Sequence, residues 1–326
     1  MTAEGMTAEV KAVSSRRVVA LGGGHGLAQA LGALRRLALA PTAVVTVADD
    51  GGSSGRLRDE LGVIPPGDLR MALLALARNQ ALAEALAWRF QGKDSAPSGG
   101  TLQGHALGNL LLVALAQRAD NDFVAALDAA AALLDCQGRV LPVTTDIVRL
   151  HARVGGRELS GQVRIATAQE RVEQVWVEPS DPAACAAAVE AIEQADAIVL
   201  GPGSLYTSII AALLIPGIAK ALTSSGVPVI YVANVRTQVG ETSGLDLAAH
   251  VDALFAHVPG LRIDTVIAHE GPIADAAGEP LLPVLPDERV GRLITADVIT
   301  RKANGDIGWG HDTARLSAAL EVSLRT

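Results

Sequence analysis

The segment Ala48-Asp49-Asp50-Gly51-Gly52-Ser53-Ser54-Gly55-Arg56 follows directly on the apolar run Ala43-Val44-Val45-Thr46-Val47. A short β-branched run of this kind reads as a buried strand. Its exit carries two carboxylates, a glycine- and serine-rich turn with exposed backbone amides, and then a guanidinium. Asp49 and Asp50 lie about 25 residues beyond an earlier glycine turn, near the offset of a ribose-reading acid in dinucleotide folds. Alternatively, one carboxylate holds Mg²⁺ while the other orients the Ser53 or Ser54 hydroxyl, or the pair forms an ordinary Asx turn. The segment constrains the fold to one that presents a ligand at the carboxyl end of a parallel strand.

The earlier turn supports the same architecture. Arg17 to Leu21 reads as a strand, Gly22-Gly23-Gly24-His25-Gly26 as a turn, and Leu27 to Leu37 as a helix. Strand, glycine turn, helix and strand open a doubly wound α/β sheet. Glycines there let the backbone approach a phosphate at a helix N-terminus. A dinucleotide fingerprint would need glycine where the chain has Leu27, which weakens a nicotinamide reading. A second unit of the same form follows Ala197-Ile198-Val199-Leu200. It is Gly201-Pro202-Gly203-Ser204-Leu205-Tyr206-Thr207-Ser208, whose backbone amides and Ser204, Thr207 and Ser208 hydroxyls suit a phosphate, with no Walker lysine.

Three weaker signals accompany these loops. Asp68 and Arg70 enter a helix after Pro65-Pro66-Gly67, where Asp68 is either an N-cap or a ligand group. His105 and Asn109, four apart, are expected on one helix face. Asn234 ends a strand at Val229–Val232, where it either reads a nucleotide or fixes a turn.

Composition narrows the class. The chain of 326 residues is 49% apolar with three Trp, two Tyr and three Phe, so aliphatic side chains must form the core. The net charge of −8 and the few aromatics argue against nucleic-acid binding. Cys136 and Cys185 form no metal-ligand spacing. The polar N-terminus is unlike a signal peptide, and no apolar run of about 18 residues escapes a charge, Pro or Gly. The expectation is a cytoplasmic chain without membrane insertion. It has a disordered leader at 1–14 and one α/β domain over 15–326, with a mostly parallel sheet and a β-rich, antiparallel insertion at about 138–178. A helix is expected from Asp181-Pro182 to Gln194, and 92–100 reads as a loop. A homodimer is the default assembly.

Six ordered motifs resemble the YvcK-like gluconeogenesis factors of the wider CofD-like superfamily. They are Leu21–Leu27, Thr46–Leu57, Pro65–Arg70, Gly104–Leu111, Gly201–Ile209, and Gly240-Glu241-Thr242 with His250. The resemblance implies a modified Rossmann-like fold and a cytoplasmic role linking gluconeogenic growth to cell shape and wall synthesis, with wall-synthesis proteins as partners. It also implies binding of UDP-sugars such as UDP-N-acetylglucosamine, without an established reaction. Carried over by motif, Gly22 to Gly26, Asp49 to Arg56, Gly203 to Ser208 and Asn234 line the nucleotide-sugar site. The related CofD enzymes transfer a phospholactyl group to a deazaflavin with Mg²⁺ and release a guanine nucleotide. In that alternative Asp49, Asp50 and Arg56 would serve the reaction. The chain departs from the pattern at His25 (usually Thr), Ala211-Ala212 (usually Pro-Asn) and Arg236 (usually Met), the last adding a charge suited to a diphosphate.

Overall fold

A computed structural model of the chain describes residues 15–92, 100–270, 273, 289–301 and 307–325. The leader expected at 1–14 and most of the loop at 92–100 lie outside the described residues. Strand β1 (Val18–Gly22) is buried along its whole length, as are β7 (Ala197–Leu200) and β8 (Val229–Val232). Continuous apolar runs are what a parallel strand covered on both faces requires. With β2 (Thr42–Val45), β3 (Arg139–Pro142), β9 (Ile263–His269) and β10 (Val290–Ala296) they form a seven-stranded sheet, ordered β10-β9-β8-β7-β1-β2-β3. Every neighbouring pair is parallel.

That order reverses between β1 and β7. From β1 the chain builds outward through β2 and β3, then returns to place β7 on the other side of β1 and continues outward to β10. A reversal of this kind leaves a crevice beyond the carboxyl ends of the two central strands, since their connections leave in opposite directions. Both glycine loops begin at this point.

Helices cover the sheet. Among them are α1 (Gly24–Arg36), α2 (Gly52–Leu61), α3 (Gly67–Leu76), α4 (Gln80–Ala87), α5 (Leu107–Arg118) and α6 (Phe123–Leu133). Asp122 caps α6 through the amide of Ala125, and Gly62 ends α2 in the left-handed conformation at φ 62. The core is aliphatic, and Tyr231 is the bulkiest wholly buried side chain.

Three expectations are corrected. Val140–Val143 does not open the antiparallel insertion, because Arg139–Pro142 joins the main sheet parallel to β2. A buried β-branched run has no local signal for the direction of its neighbour. The antiparallel sheet is smaller, ordered β5-β4-β6, from β4 (Arg149–Val154), β5 (Arg157–Ser160) and β6 (Val172–Glu178). The helix expected from Asp181 begins instead at Ala186 (α7, Ala186–Glu193), with Cys185 at its N-cap position. Tertiary bonds hold the preceding turn: the Ala183 amide donates to Asp146 Oδ2, and Thr144 Oγ1 donates to the Ala183 carbonyl at 2.5 Å. The region after residue 287, where the sequence pattern is mixed, supplies β10, the hairpin β11 (Ile299–Arg301) and β12 (Ile307–His311), and a helix at Thr313–Leu324 packed on α1.

The two glycine loops meet backbone to backbone. A Cβ on Gly26 would lie 2.4 Å from the Pro202 carbonyl oxygen and 2.8 Å from Gly203 Cα. Gly24, at φ +64, has open space around it. Gly26→Ala is therefore expected to cost about 3 kcal/mol through forced separation of the loops. Gly24→Ala should cost about 1 kcal/mol, from left-handed strain alone. Urea unfolding midpoints of the two variants check this ordering, and equal losses would contradict the contact.

Candidate functional site

Beyond the carboxyl ends of the central strands lies a cleft of about 690 Å³. The first glycine loop supplies Gly23, Gly24, His25 and Gly26, and the second supplies Pro202, Gly203, Ser204, Thr207 and Ser208. Asp49 enters from the turn after β2 and Asp68 from the first turn of α3, while Asn234 and Arg236 follow β8. The acidic turn and the hydroxyl-bearing turn thus border one cavity.

The acidic wall differs from the expected Asp49–Asp50 pair. Asp49 Oδ1 accepts from the Gly51 amide at 2.9 Å, closing an Asx turn. Asp68 lies against the first glycine loop and accepts a bond from the Gly24 backbone. Burial pushes its carboxyl up to about 7, with the charge of Asp49 acting in the same direction and the Gly24 bond opposing. Asp50 instead accepts from the Val163 amide at 2.9 Å, and the left-handed Gly161 packs against its carboxylate. This contact ties the antiparallel insertion to the turn, and Gln162 beside it reaches the cleft. Asp50 is therefore a tether, and Asp68 takes its place as partner of Asp49.

The rest of the glycine-serine turn is divided. Gly52, Ser53, Gly55 and Arg56 line a different depression, with Arg56 Nη2 donating to the Gln103 carbonyl at 2.6 Å. Ser54 is buried beneath Gly67. His105 precedes α5 rather than sharing its face with Asn109, yet the two converge on Ser53. Asn109 Nδ2 donates to Ser53 Oγ at 3.0 Å, and Ser53 Oγ lies 3.0 Å from His105 Nδ1. Since Asn109 occupies the oxygen as donor, the serine proton points to His105. These three residues and the buried Arg70 support the turn and do not line the cleft.

The second loop is also only partly open. Leu205 is fully buried and Tyr206 is 3% exposed, its ring edge-on to His257. Residues Leu205–Ile210 form a π-helical turn. Its leading amides, which the sequence assigns to a phosphate, are occupied by Glu241. That buried carboxylate accepts from Tyr206 N at 2.7 Å, Thr207 N at 3.0 Å and Thr207 Oγ1 at 3.1 Å. The open groups are the Ser204 and Ser208 side chains, with Gln238 Nε2 donating to Ser204 Oγ. Asn234 Oδ1 accepts weakly from Gly203 N at 3.3 Å and so fixes the loop it borders.

Gln29, Met71, Gln162, Val235, Gln238, Gly310 and His311 complete the wall without having been expected there. Gln238 and Val235 flank motifs that were legible. Gly310 and His311 come from β12 and carried no local signal. The His311 ring donates from Nε2 to the Ala233 carbonyl at 3.0 Å, and burial pulls its pKa down to about 4, so it is neutral at physiological pH. Arg236 is buried on the same side, with Nη2 3.4 Å from the Gly308 carbonyl. The cleft therefore sets two acids on one wall against a guanidinium on the other. Two neighbouring carboxylates on one wall fit a divalent cation shared with ligand phosphates. Among the described residues no group of three or more His, Cys, Asp or Glu side chains could form a complete protein-only metal cage.

Asp68 gives the site a pH signature. Its pKa rises from 3.8 to about 7 on folding, so the folded chain binds the extra proton between these values. The stability this proton contributes is complete below about pH 4 and is lost as the pH rises through about 7. Asp68→Asn should remove that decline from a stability–pH profile, and Asp49→Asn should shift it to lower pH. An unchanged profile in Asp68→Asn would contradict the assignment.

The geometry can be set beside known proteins. Residues 18–299 match the family model described as 2-phospho-L-lactate transferase CofD. A putative gluconeogenesis factor of Mycobacterium tuberculosis (strain ATCC 25618 / H37Rv) is 46% identical over 93% of this chain and 89% of its own. The gluconeogenesis factor of Halalkalibacterium halodurans is 39% identical over 85% and 86%. The crystal structure of a UPF0052 family member from Bacillus halodurans superposes with a TM-score of 0.82 at 36% identity, covering 93% of this chain and 98% of that one. The reversed parallel sheet, its paired glycine loops and these matches agree: the chain belongs to the CofD family, among its YvcK-like gluconeogenesis factors.

Proposed function

We propose that the cleft binds a nucleoside-diphosphate sugar, UDP-N-acetylglucosamine or a close analogue. In this reading the chain is a cytoplasmic regulator that couples gluconeogenic carbon supply to cell shape and wall synthesis, through wall-synthesis proteins as partners. The observation that carries it is the meeting of two glycine loops and Asp49 around one cavity at the sheet's reversal point. The diphosphate would lie at the head of α1, where Gly23 offers no side-chain cap. Ser204, Ser208 and Arg236 would face it from the opposite side. Asp49 and Asp68 would accept hydrogen bonds from ribose or sugar hydroxyls. Mg²⁺, where bound, would be held by these two carboxylates and offset the diphosphate charge.

Calorimetry with UDP-N-acetylglucosamine is expected to give micromolar affinity, about −8 kcal/mol. Arg236→Gln and Asp49→Asn should each weaken it about tenfold, the scale of one charge-assisted contact. Absence of heat with every UDP-sugar, at protein concentrations well above micromolar, would sink the proposal.

One observation favours a second reading, phospholactyl transfer of the CofD type. A carboxyl group with a pKa near 7 beside a charged partner suits proton acceptance from an attacking hydroxyl. Asp68 would take the hydroxyl proton of the deazaflavin acceptor, Asp49 would hold the charge-neutralising Mg²⁺, and the guanine nucleotide would leave as its bond to the transferred phosphoryl group breaks. Incubation with the deazaflavin, the phospholactyl-guanosine donor and Mg²⁺ is expected, on this reading, to give a product by mass spectrometry that Asp49→Asn abolishes. Asp50→Asn should leave substantial turnover, because Asp50 faces the insertion.

A further inference from the structure

The Ala48–Arg56 turn borders a second cavity. A depression of about 640 Å³ opens along it and shares no lining residue with the nucleotide-sugar cleft. Its walls are the first turn of α2, the Arg56 and Arg89 side chains, and the turn at Gly100, Gln103 and Gly104. Arg56 Nη2 donates to the Gln103 carbonyl at 2.6 Å, and Arg89 Nη1 donates to the Gly104 carbonyl at 3.0 Å. Carbonyl acceptors orient a guanidinium without neutralising it. Among the described residues neither arginine makes an ion pair.

Two acids, Asp50 and Asp59, share this lining. Asp50 accepts from the Val163 amide, and Asp59 pairs with Arg58 at 2.9 Å. Beside this cluster lies Arg70, 6% exposed, whose Nε and Nη1 have no hydrogen-bond partner. Burial first, then the charge of Arg89, lower the Arg70 pKa to about 10, with Asp68 and Asp49 acting the other way. His105 is held below its ordinary value by burial first, then by Arg56, with Arg89 in the same sense and Glu60 opposing. Both groups therefore feel the arginine charges of this wall. Gly51, which precedes α2, offers no side-chain cap to the leading amides of that ten-residue helix. Ser53, fixed between His105 and Asn109, holds them in place.

We propose that this depression binds a phosphate monoester dianion, with Arg56 and Arg89 as the clamp and the uncapped amides of α2 beneath it. The planar forks suit phosphate oxygens, and the helix terminus adds partial positive charge. The site shares no lining residue with the cleft and does not depend on the identity of the cleft's ligand. Because Asp49 and Arg56 belong to one short turn, a phosphate held here also steadies a wall of the neighbouring cleft.

Titration of the full chain with inorganic phosphate and with glycerol 3-phosphate, followed by ³¹P NMR at low ionic strength, tests the site. Expected is saturable binding at about millimolar or tighter, stronger for the monoester, and weakened about tenfold or more by Arg56→Gln and by Arg89→Gln. Arg236→Gln, in the cleft, should leave it unchanged. Phosphate binding lost in Arg236→Gln but kept in the other two would place the anion in the cleft and overturn the proposal. Equal, weak responses to phosphate and sulfate, or none, would overturn it as well. Should Arg89→Gln fail to fold by thermal melting, Arg89→Lys keeps the charge without the fork and is expected to bind with intermediate affinity. UDP-sugar binding retained in Arg56→Gln separates this site from the first.

Discussion

The close approach of two backbones at the centre of the sheet governs most of what this molecule does. Gly26 rests against the Pro202 carbonyl because β1 and β7 are parallel neighbours in register, Leu21 opposite Leu200. No side chain fits between the loops, so the peptide groups at both strand ends stay available to the crevice beyond them. The strand order reverses at the same pair, which keeps the two helical connections from closing over it. Fold and cavity therefore share one cause: a parallel pair whose exits diverge and whose turns have no Cβ.

Electrostatics then divides the turn after β2 between two tasks. Asp49 looks into the cleft and pairs with Asp68, whose burial makes the proton hard to release. Arg56 looks into a separate, arginine-lined depression. Asp50, between them, accepts from the Val163 amide and anchors the small antiparallel sheet. A second anchor is the Val175 amide, which donates to His257 Nε2 at 3.1 Å. The insertion thus reaches the cleft through Gln162 as a fixed wall.

The second glycine loop shows how a buried charge can change the reading of a motif. Hydroxyls and amides at a helix start invite a phosphate, yet Glu241, 35 residues away from Tyr206, fills that role from within the protein. Burial raises its pKa while three donors from Tyr206 and Thr207 pull the other way. The cleft-facing hydroxyls of this loop are left to Ser204 and Ser208, and on the proposed reading the amides that face the diphosphate belong to the first loop. Among the described residues no single helix is long and apolar enough to cross a membrane; the bent pair at Leu205–Leu213 and Pro216–Ser224 approaches that length, but Leu205–Leu213 is buried against the sheet.

Local pattern settled the strands and the loops that end them. Buried apolar runs followed by glycine can be little other than parallel strands entering helices, and so the loops that bring Gly23–Gly26, Asp49, Gly203, Ser204 and Asn234 to one cleft were legible. Contacts between distant segments decided the remainder. Arg139–Pro142 took its direction from β2, Asp68 became the partner of Asp49 through packing against Gly23, and His311 arrived from a hairpin almost 290 residues after the first loop. Adjacent residues such as Asp49 and Asp50, or Ser204 and Leu205, went to opposite environments, because a turn or helix start rotates successive side chains apart. Sequence spacing records which groups are near along the chain; only folding sets the direction in which each one points.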